Sequence, residues 1–172
     1  PRNAHKSAFT GLILSGANPV YVYPELNSSN GIISAISVDA IEKVYQRVPQ
    51  ANAILVINPT YYGIAPDLQK IVAIAREHNS TVLVDEAHGC HFYFNENLPL
   101  TAMQAGADMA AVSTHKTGGS LTQSSILLKQ GDRIPDGDLF ESLNALRSSS
   151  ASYLLLVSLD LARKQLALHG RA

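Results

Sequence analysis

Thr81-Val82-Leu83-Val84-Asp85-Glu86-Ala87-His88-Gly89 is the stretch on which the fold turns. Its first four residues are branched or apolar without interruption, the pattern of a short strand buried on both faces, as in a parallel sheet. The run then gives way to two carboxylates, a small residue, a histidine and a glycine. Two further segments have the same form. Ala53-Ile54-Leu55-Val56-Ile57 stops at Asn58-Pro59, and Met109-Ala110-Ala111-Val112 leads into Ser113-Thr114-His115-Lys116. Between the first two strands, Pro66 to His78 places Leu68, Ile71, Val72 and Ala75 on one helical face. A strand, a one-sided helix and a second buried strand predict parallel pairing through a helical crossover.

Outward from this centre, Ala8 to Leu14 reads as a short buried helix closed by Ser15-Gly16-Ala17-Asn18-Pro19. Val20-Tyr21-Val22-Tyr23 reads as a strand, and Pro24 to Ser37 as a loop rich in Asn, Ser and Gly. Ser37 or Asp39 then caps a helix that runs to about Val48. Leu100 to Ala105 is predicted as a short helix and Ser124 to Leu128 as a strand. The Gly118-Gly119-Ser120 connection before that strand is too short for a helical crossover, so its pairing is expected to be antiparallel. Asp138 to Arg147 and Tyr153 to His169 are the last two helices. The expected fold is α/β, a three-layer α/β/α sandwich around a mostly parallel, mixed sheet.

Composition narrows the function classes. The chain has 172 residues, 46 % of them hydrophobic, which suits one domain with a real core. A formal net charge of −1 gives no long-range field for nucleic acid or an anionic membrane, so neither is expected as a partner. The single cysteine, Cys90, cannot form an internal disulfide, and no apolar run is long enough to cross a bilayer. A cytoplasmic setting is expected. The opening Pro1-Arg2-Asn3, without an initiator Met, and the stop at Gly170-Arg171-Ala172 suggest a partial segment of a longer protein.

In open α/β sheets ligands sit beyond the carboxyl ends of the strands, and the polar clusters of this chain fall there. Asp85, directly after Val84, needs a cationic partner or several donors; a protonated ring nitrogen, an Arg or Lys, or a loop cap would each serve. Lys116, among hydroxyls, a histidine and two glycines, reads either as an anchored nucleophile or as a solvated loop lysine. An amine and an acid on neighbouring strand ends are what pyridoxal 5′-phosphate (PLP) requires, the first to form a Schiff base and the second to keep the pyridine nitrogen protonated. His5 reads as a ring that stacks on an aromatic ligand or as a helix cap. Thr60, Tyr61 and Tyr62 line a pocket or close a turn. His88-Gly89-Cys90-His91, with His115, lacks the paired ligand spacing of common zinc sites, so no metal is expected. Asp-Glu-Ala-His also occurs in helicases, but no phosphate loop of the Gly-x-x-x-x-Gly-Lys type accompanies it. No Gly-x-Ser-x-Gly signature of a serine hydrolase is present either.

Five blocks, in order along nearly the whole chain, resemble the Orn/Lys/Arg decarboxylase family, in the major domain of these fold-type-I PLP enzymes. They are Arg2-Asn3-Ala4-His5-Lys6-Ser7, Asn58-Pro59-Thr60-Tyr61-Tyr62-Gly63, Val84-Asp85-Glu86-Ala87-His88-Gly89, Ser113-Thr114-His115-Lys116-Thr117 and Ser120-Leu121-Thr122-Gln123. The resemblance implies that Lys116 is the Schiff-base lysine and that Asp85 pairs with the pyridine nitrogen. It implies that His5 stacks on one face of the ring, that Ala87 packs on the other, and that Ser113 and His115 help bind the phosphate. The activity it implies is PLP-dependent decarboxylation of lysine, ornithine or arginine to a polyamine-type amine, carried out by a homodimer or higher homo-oligomer. Lys116, His5 and Asp85 would be the catalytic residues. It further implies a phosphate-binding loop before the first block and a C-terminal domain, neither of which is among these residues. Other fold-type-I activities, aminotransferase or aldolase, share the Asp and Lys roles, and a catalytically silent truncated segment is the third reading.

Overall fold

A computed structural model describes residues 1–171. Strands β3 (Ala53–Ile57), β4 (Thr81–Asp85) and β5 (Met109–Val112) pair in parallel, and β6 (Ile126–Lys129) adds antiparallel to β5. The order is β3-β4-β5-β6. Register sets Val56 beside Val84 and Val84 beside Ala110, and this row is buried, as its apolar sequence requires. Helix α3 (Leu68–Glu77) makes the crossover from β3 to β4, begins where the Asp67 side chain accepts the Lys70 N–H, and buries Leu68, Ile71, Val72 and Ala75. Helix α2 (Val38–Arg47), capped by Ser37, packs beside it through Ile41 and Tyr45. Helices α1 (Lys6–Ser15), α5 (Asp136–Leu146) and α6 (Tyr153–His169) complete the set of long helices. None among the described residues is long and apolar enough to cross a membrane.

Four expectations change. Helix α1 has no buried residue, although its sequence reads as a buried helix. Val20–Tyr23 is extended but forms no ladder; the Val22 carbonyl accepts one hydrogen bond from the Arg2 N–H, 2.8 Å. A strand exists only where a neighbouring edge is offered, whatever its propensity. The 24–37 loop contains a small hairpin instead, β1 (Leu26–Asn27) against β2 (Ile32–Ile33), turned by Asn27 and Asn30 side chains that accept the Ser29 and Ile32 N–H groups. Leu100–Ala105 forms a closed turn rather than a helix. The Thr101 and Gln104 side chains accept each other's backbone N–H, and Gly106, at φ +85°, reverses the chain. Ser113-Thr114-His115-Lys116 also differs in detail, because Thr114–Thr117 makes one helical turn, α4.

The sheet is tied at both ends. Where β4 and β5 begin, Asp108 takes both guanidinium nitrogens of Arg76, at 2.8 and 2.9 Å, together with the Val82 N–H at 2.7 Å. Where β4 ends, the fully buried Glu86 carboxylate joins three segments. Its Oε1 accepts from Asn58 Nδ2 at 3.0 Å and from the Ala102 N–H at 2.8 Å, and its Oε2 accepts from the Tyr93 hydroxyl at 2.5 Å. Tyr93 lies on a 3₁₀ turn, Cys90–Phe94, that follows directly. Burial pushes the Glu86 carboxyl above the usual carboxylate range against the pull of these donors, and burial and Glu86 together push the Tyr93 phenol up.

Two outcomes follow for stability. A β-carbon at Gly89 would stand 2.6 Å from Glu86 Cγ, 3.1 Å from the Asn58 carbonyl oxygen and 3.2 Å from Pro59 Cδ. Gly89→Ala should therefore cost roughly 1–3 kcal/mol in urea unfolding, as overpacking does; an unchanged midpoint would contradict the crowding. The folded pKa of Glu86 lies above its unfolded one, so its contribution is greatest at low pH and is lost as pH rises through the carboxylate range to the raised value. Glu86→Gln removes that titration. The stability difference between the two proteins should move in favour of Gln as pH rises through this window, and a difference independent of pH would refute the shift.

Candidate functional site

Asp85 is the last residue of β4, in register with Ile57 and Ala111, and Lys116 stands on the turn that follows β5. The parallel pairing alone brings them to one end of the sheet. Asp85 is half-buried and its Oδ1 accepts the Ala87 N–H at 3.2 Å. That bond is the loop cap the sequence allowed, and among the described residues Asp85 has no ion-pair partner. Ala87 is half-buried, two residues beyond Asp85 on the same turn. Lys116 is exposed and forms no ion pair among the described residues. Its turn is seated tightly, because a β-carbon at Gly118 would stand 2.7 Å from the Thr114 carbonyl oxygen and 2.8 Å from Cys90 Sγ.

His115 is oriented by the loop behind it. Its Nδ1 donates to the Ser124 carbonyl at 2.6 Å, which fixes the orientation of the ring. Ser124 in turn donates to the Leu121 carbonyl and lies 2.5 Å from the Ser120 hydroxyl. Ser113 heads the turn half-buried, with no capping bond from its side chain. His5 does cap α1, its Nδ1 accepting the Ser7 N–H at 3.3 Å and lying 2.8 Å from the Ser7 hydroxyl, yet the residue remains exposed.

His88 joins these groups. Burial lowers its pKa, Lys116 and His5 lower it further, and Asp85 opposes them, so the four side chains share one electrostatic neighbourhood. The sequence reading weighed His88 only as a metal ligand. Among the described residues no three His, Cys, Asp or Glu side chains gather in metal-binding fashion, and Cys90 is buried. Its position three residues after Asp85, on the same strand-end turn, was the signal available. Tyr61 meets His88 edge to face, centroids 5.5 Å apart at 88°, and Tyr62 meets Tyr61 in the same way at 5.4 Å and 90°. Thr60 closes its own turn instead, pairing with Ile64 through both backbone and hydroxyl.

The candidate site thus combines a carboxylate that has no ion-pair partner among the described residues, an amine beyond the adjacent strand end, and His88 near both. A flat ring bearing a protonated nitrogen and a carbonyl would find a partner for each group here, so the donor set fits PLP.

Known proteins give an independent comparison. The family model described as Orn/Lys/Arg decarboxylase, major domain, matches residues 1–172. An arginine decarboxylase of Halalkalibacterium halodurans is 52 % identical over 171 residues, 99 % of this chain and 35 % of the relative. An arginine decarboxylase of Bacillus subtilis is 50 % identical with the same coverage, so the chain spans about a third of the length of these curated relatives. Among solved structures, a constitutive lysine decarboxylase of E. coli superimposes with a TM-score of 0.74 at 24 % identity, over 96 % of this chain and 25 % of that one. A Sphingomonas wittichii serine palmitoyltransferase does so at 0.64 and 22 %, over 97 % of this chain and 40 % of that one. At such identities the two structures establish the fold, a mixed sheet of parallel strands flanked by helices. With the family's model matched from the first residue to the last, the chain belongs to the Orn/Lys/Arg decarboxylase family, in its major domain.

Proposed function

We propose that the protein containing this chain is a PLP-dependent decarboxylase of a basic amino acid, arginine, and that these 172 residues supply the ring-binding part of its site. The observation that carries the proposal is the placement of Asp85, free of any cation among the described residues, beside Lys116 on the adjacent strand end. Arginine is favoured over lysine and ornithine by the relatives at 52 % and 50 % identity, both named arginine decarboxylases.

PLP, when bound, supplies an electron-withdrawing ring that takes up the electron pair left as carbon dioxide departs. The chain's own residues would hold and orient it. Asp85 would keep a proton on the ring nitrogen through its carboxylate, whose Oδ1 accepts the Ala87 N–H. Lys116 would hold the cofactor through Nζ, for which a lysine that is exposed and forms no ion pair among the described residues is suited. His5 would cover one face of the ring and Ala87 the other, which would hold the ring in place. Ser113, with its hydroxyl uncommitted to the helix cap, would donate to the phosphate, and His115, held by its bond to the Ser124 carbonyl, would stand beside it.

The remaining contacts, a phosphate-binding loop and a C-terminal domain, belong in this proposal to sequence outside the present residues. A homodimer or higher homo-oligomer is part of it too, supported by Leu154, Leu156, Val157 and Leu161 of α6, all exposed in the isolated chain. A cytoplasmic setting accords with the single buried thiol.

The full-length protein should show the visible absorbance band of lysine-bound PLP, and Lys116→Ala should abolish it while circular dichroism stays unchanged. Carbon dioxide release from arginine should exceed that from lysine and ornithine. Transfer of the amino group without carbon dioxide would replace this reading by an aminotransferase, and absence of the band would favour a silent protein. Asp85→Asn should keep the anchored cofactor but lower kcat by roughly a hundredfold or more, the scale of losing one preorganised charge.

A further inference from the structure

The loop after β3 is held on every side except at two side chains. The Asn58 N–H donates to the Asp85 carbonyl at 3.0 Å, and Asn58 Nδ2 donates to Glu86 and to the Leu100 carbonyl. Thr60 is buried and closes the turn onto Ile64. What this anchored loop presents outward is Tyr61, 79 % exposed, and Tyr62, 57 % exposed. Two large aromatic rings in solvent carry an energetic cost that loop closure does not explain. Their arrangement is ordered: Tyr62 and His88 both stand nearly perpendicular to the Tyr61 ring, at 90° and 88°, so the three rings form a corner joined through His88 to the Asp85 and Lys116 neighbourhood.

From this corner we infer a specificity role: Tyr61, backed by Tyr62, seats the distal cation of the substrate and prefers a planar guanidinium to an ammonium. The inference rests on the decarboxylase reading above and adds to it the group that selects the side chain. A basic side chain needs a carboxylate or a π face. Of the two carboxylates that end β4, Glu86 is fully buried with both oxygens occupied, and Asp85 is committed to the ring nitrogen. Among the described residues, Tyr61 and, through it, Tyr62 are the aromatic rings that adjoin His88 at this strand end. A guanidinium is flat, delocalised and weakly hydrated, and stacks on such a face; an ammonium is a compact, strongly hydrated charge and gains less.

The test uses the full-length, PLP-loaded protein and two readouts. The first is the ratio of kcat/KM for arginine to that for lysine. It should fall roughly tenfold in Tyr61→Ala, the scale of one partly desolvated cation–π contact, and recover in Tyr61→Phe, which restores the ring without the hydroxyl. The second is calorimetric binding of the two product amines, 4-aminobutylguanidine and 1,5-diaminopentane, which needs no turnover. Tyr61→Ala should weaken the guanidine selectively. Equal losses for both amines, or none, would overturn the inference. If the wild-type protein releases carbon dioxide from no basic amino acid, the decarboxylase reading fails, and the calorimetric arm still decides the role of Tyr61.

Discussion

The carboxylate of Glu86 lies fully inside the protein and accepts hydrogen bonds from three segments: the end of β3 through Asn58, the 3₁₀ turn that follows through Tyr93, and the closed turn through Ala102. Removing such a group from water costs several kcal/mol, and it is tolerated only because both oxygens are occupied by donors. The requirement works in both directions. Three segments must converge at one point for the carboxylate to be stable, and once they have converged the strand-end turn from Asp85 to Gly89 is immobilised. Gly89, with no room for a β-carbon, completes the closure. Asp85, Ala87 and His88 are therefore presented from a turn that the core itself holds.

Adjacent carboxylates serve opposite purposes here because successive residues of a strand face opposite ways. Asp85 stays half-buried beside the site, bound only by a backbone N–H, and is left to meet a positive charge. Glu86 turns inward and is consumed by structure. The far end of the sheet shows the complementary arrangement, where Asp108 and Arg76 neutralise each other and tie α3 to the starts of β4 and β5. One end is closed by matched charges, and at the other Asp85 and Lys116 form no ion pair among the described residues. Burial and the nearby lysine lower the pKa of His88, against the pull of Asp85.

Much of this was legible in the chain. The runs 53–57 and 109–112 became strands without change, 81–84 gained only Asp85, and the four apolar residues of α3 are the four that are buried. Helix α6 spans Tyr153–His169 as its pattern indicated. These segments carry strong periodicity and pack on both sides, so local pattern and burial agree. The antiparallel partner of β5 was also readable from the shortness of the connection, although it starts at Ile126 rather than Ser124, since Gln123 at φ +65° and Ser124 are taken up by the turn. Val20–Tyr23 and Leu100–Ala105 were misread for one reason: their outcome depends on a partner elsewhere, an absent strand edge in the first case and the reciprocal Thr101 and Gln104 bonds in the second.

By itself, the sequence determined the strand-helix-strand order, the parallel sheet and the delivery of Asp85 and Lys116 to one edge of it, because buried apolar runs joined by a one-sided helix have few other ways to pack. Only the tertiary structure decided which of the paired acids faces the site, that His115 is bound to the Ser124 carbonyl, and that His88, Tyr61 and Tyr62 stand with the predicted residues. Those choices rest on distances between segments tens of residues apart. Spacing along the chain does not encode such distances; the registry of the strands and the convergence of donors on one buried carboxylate do.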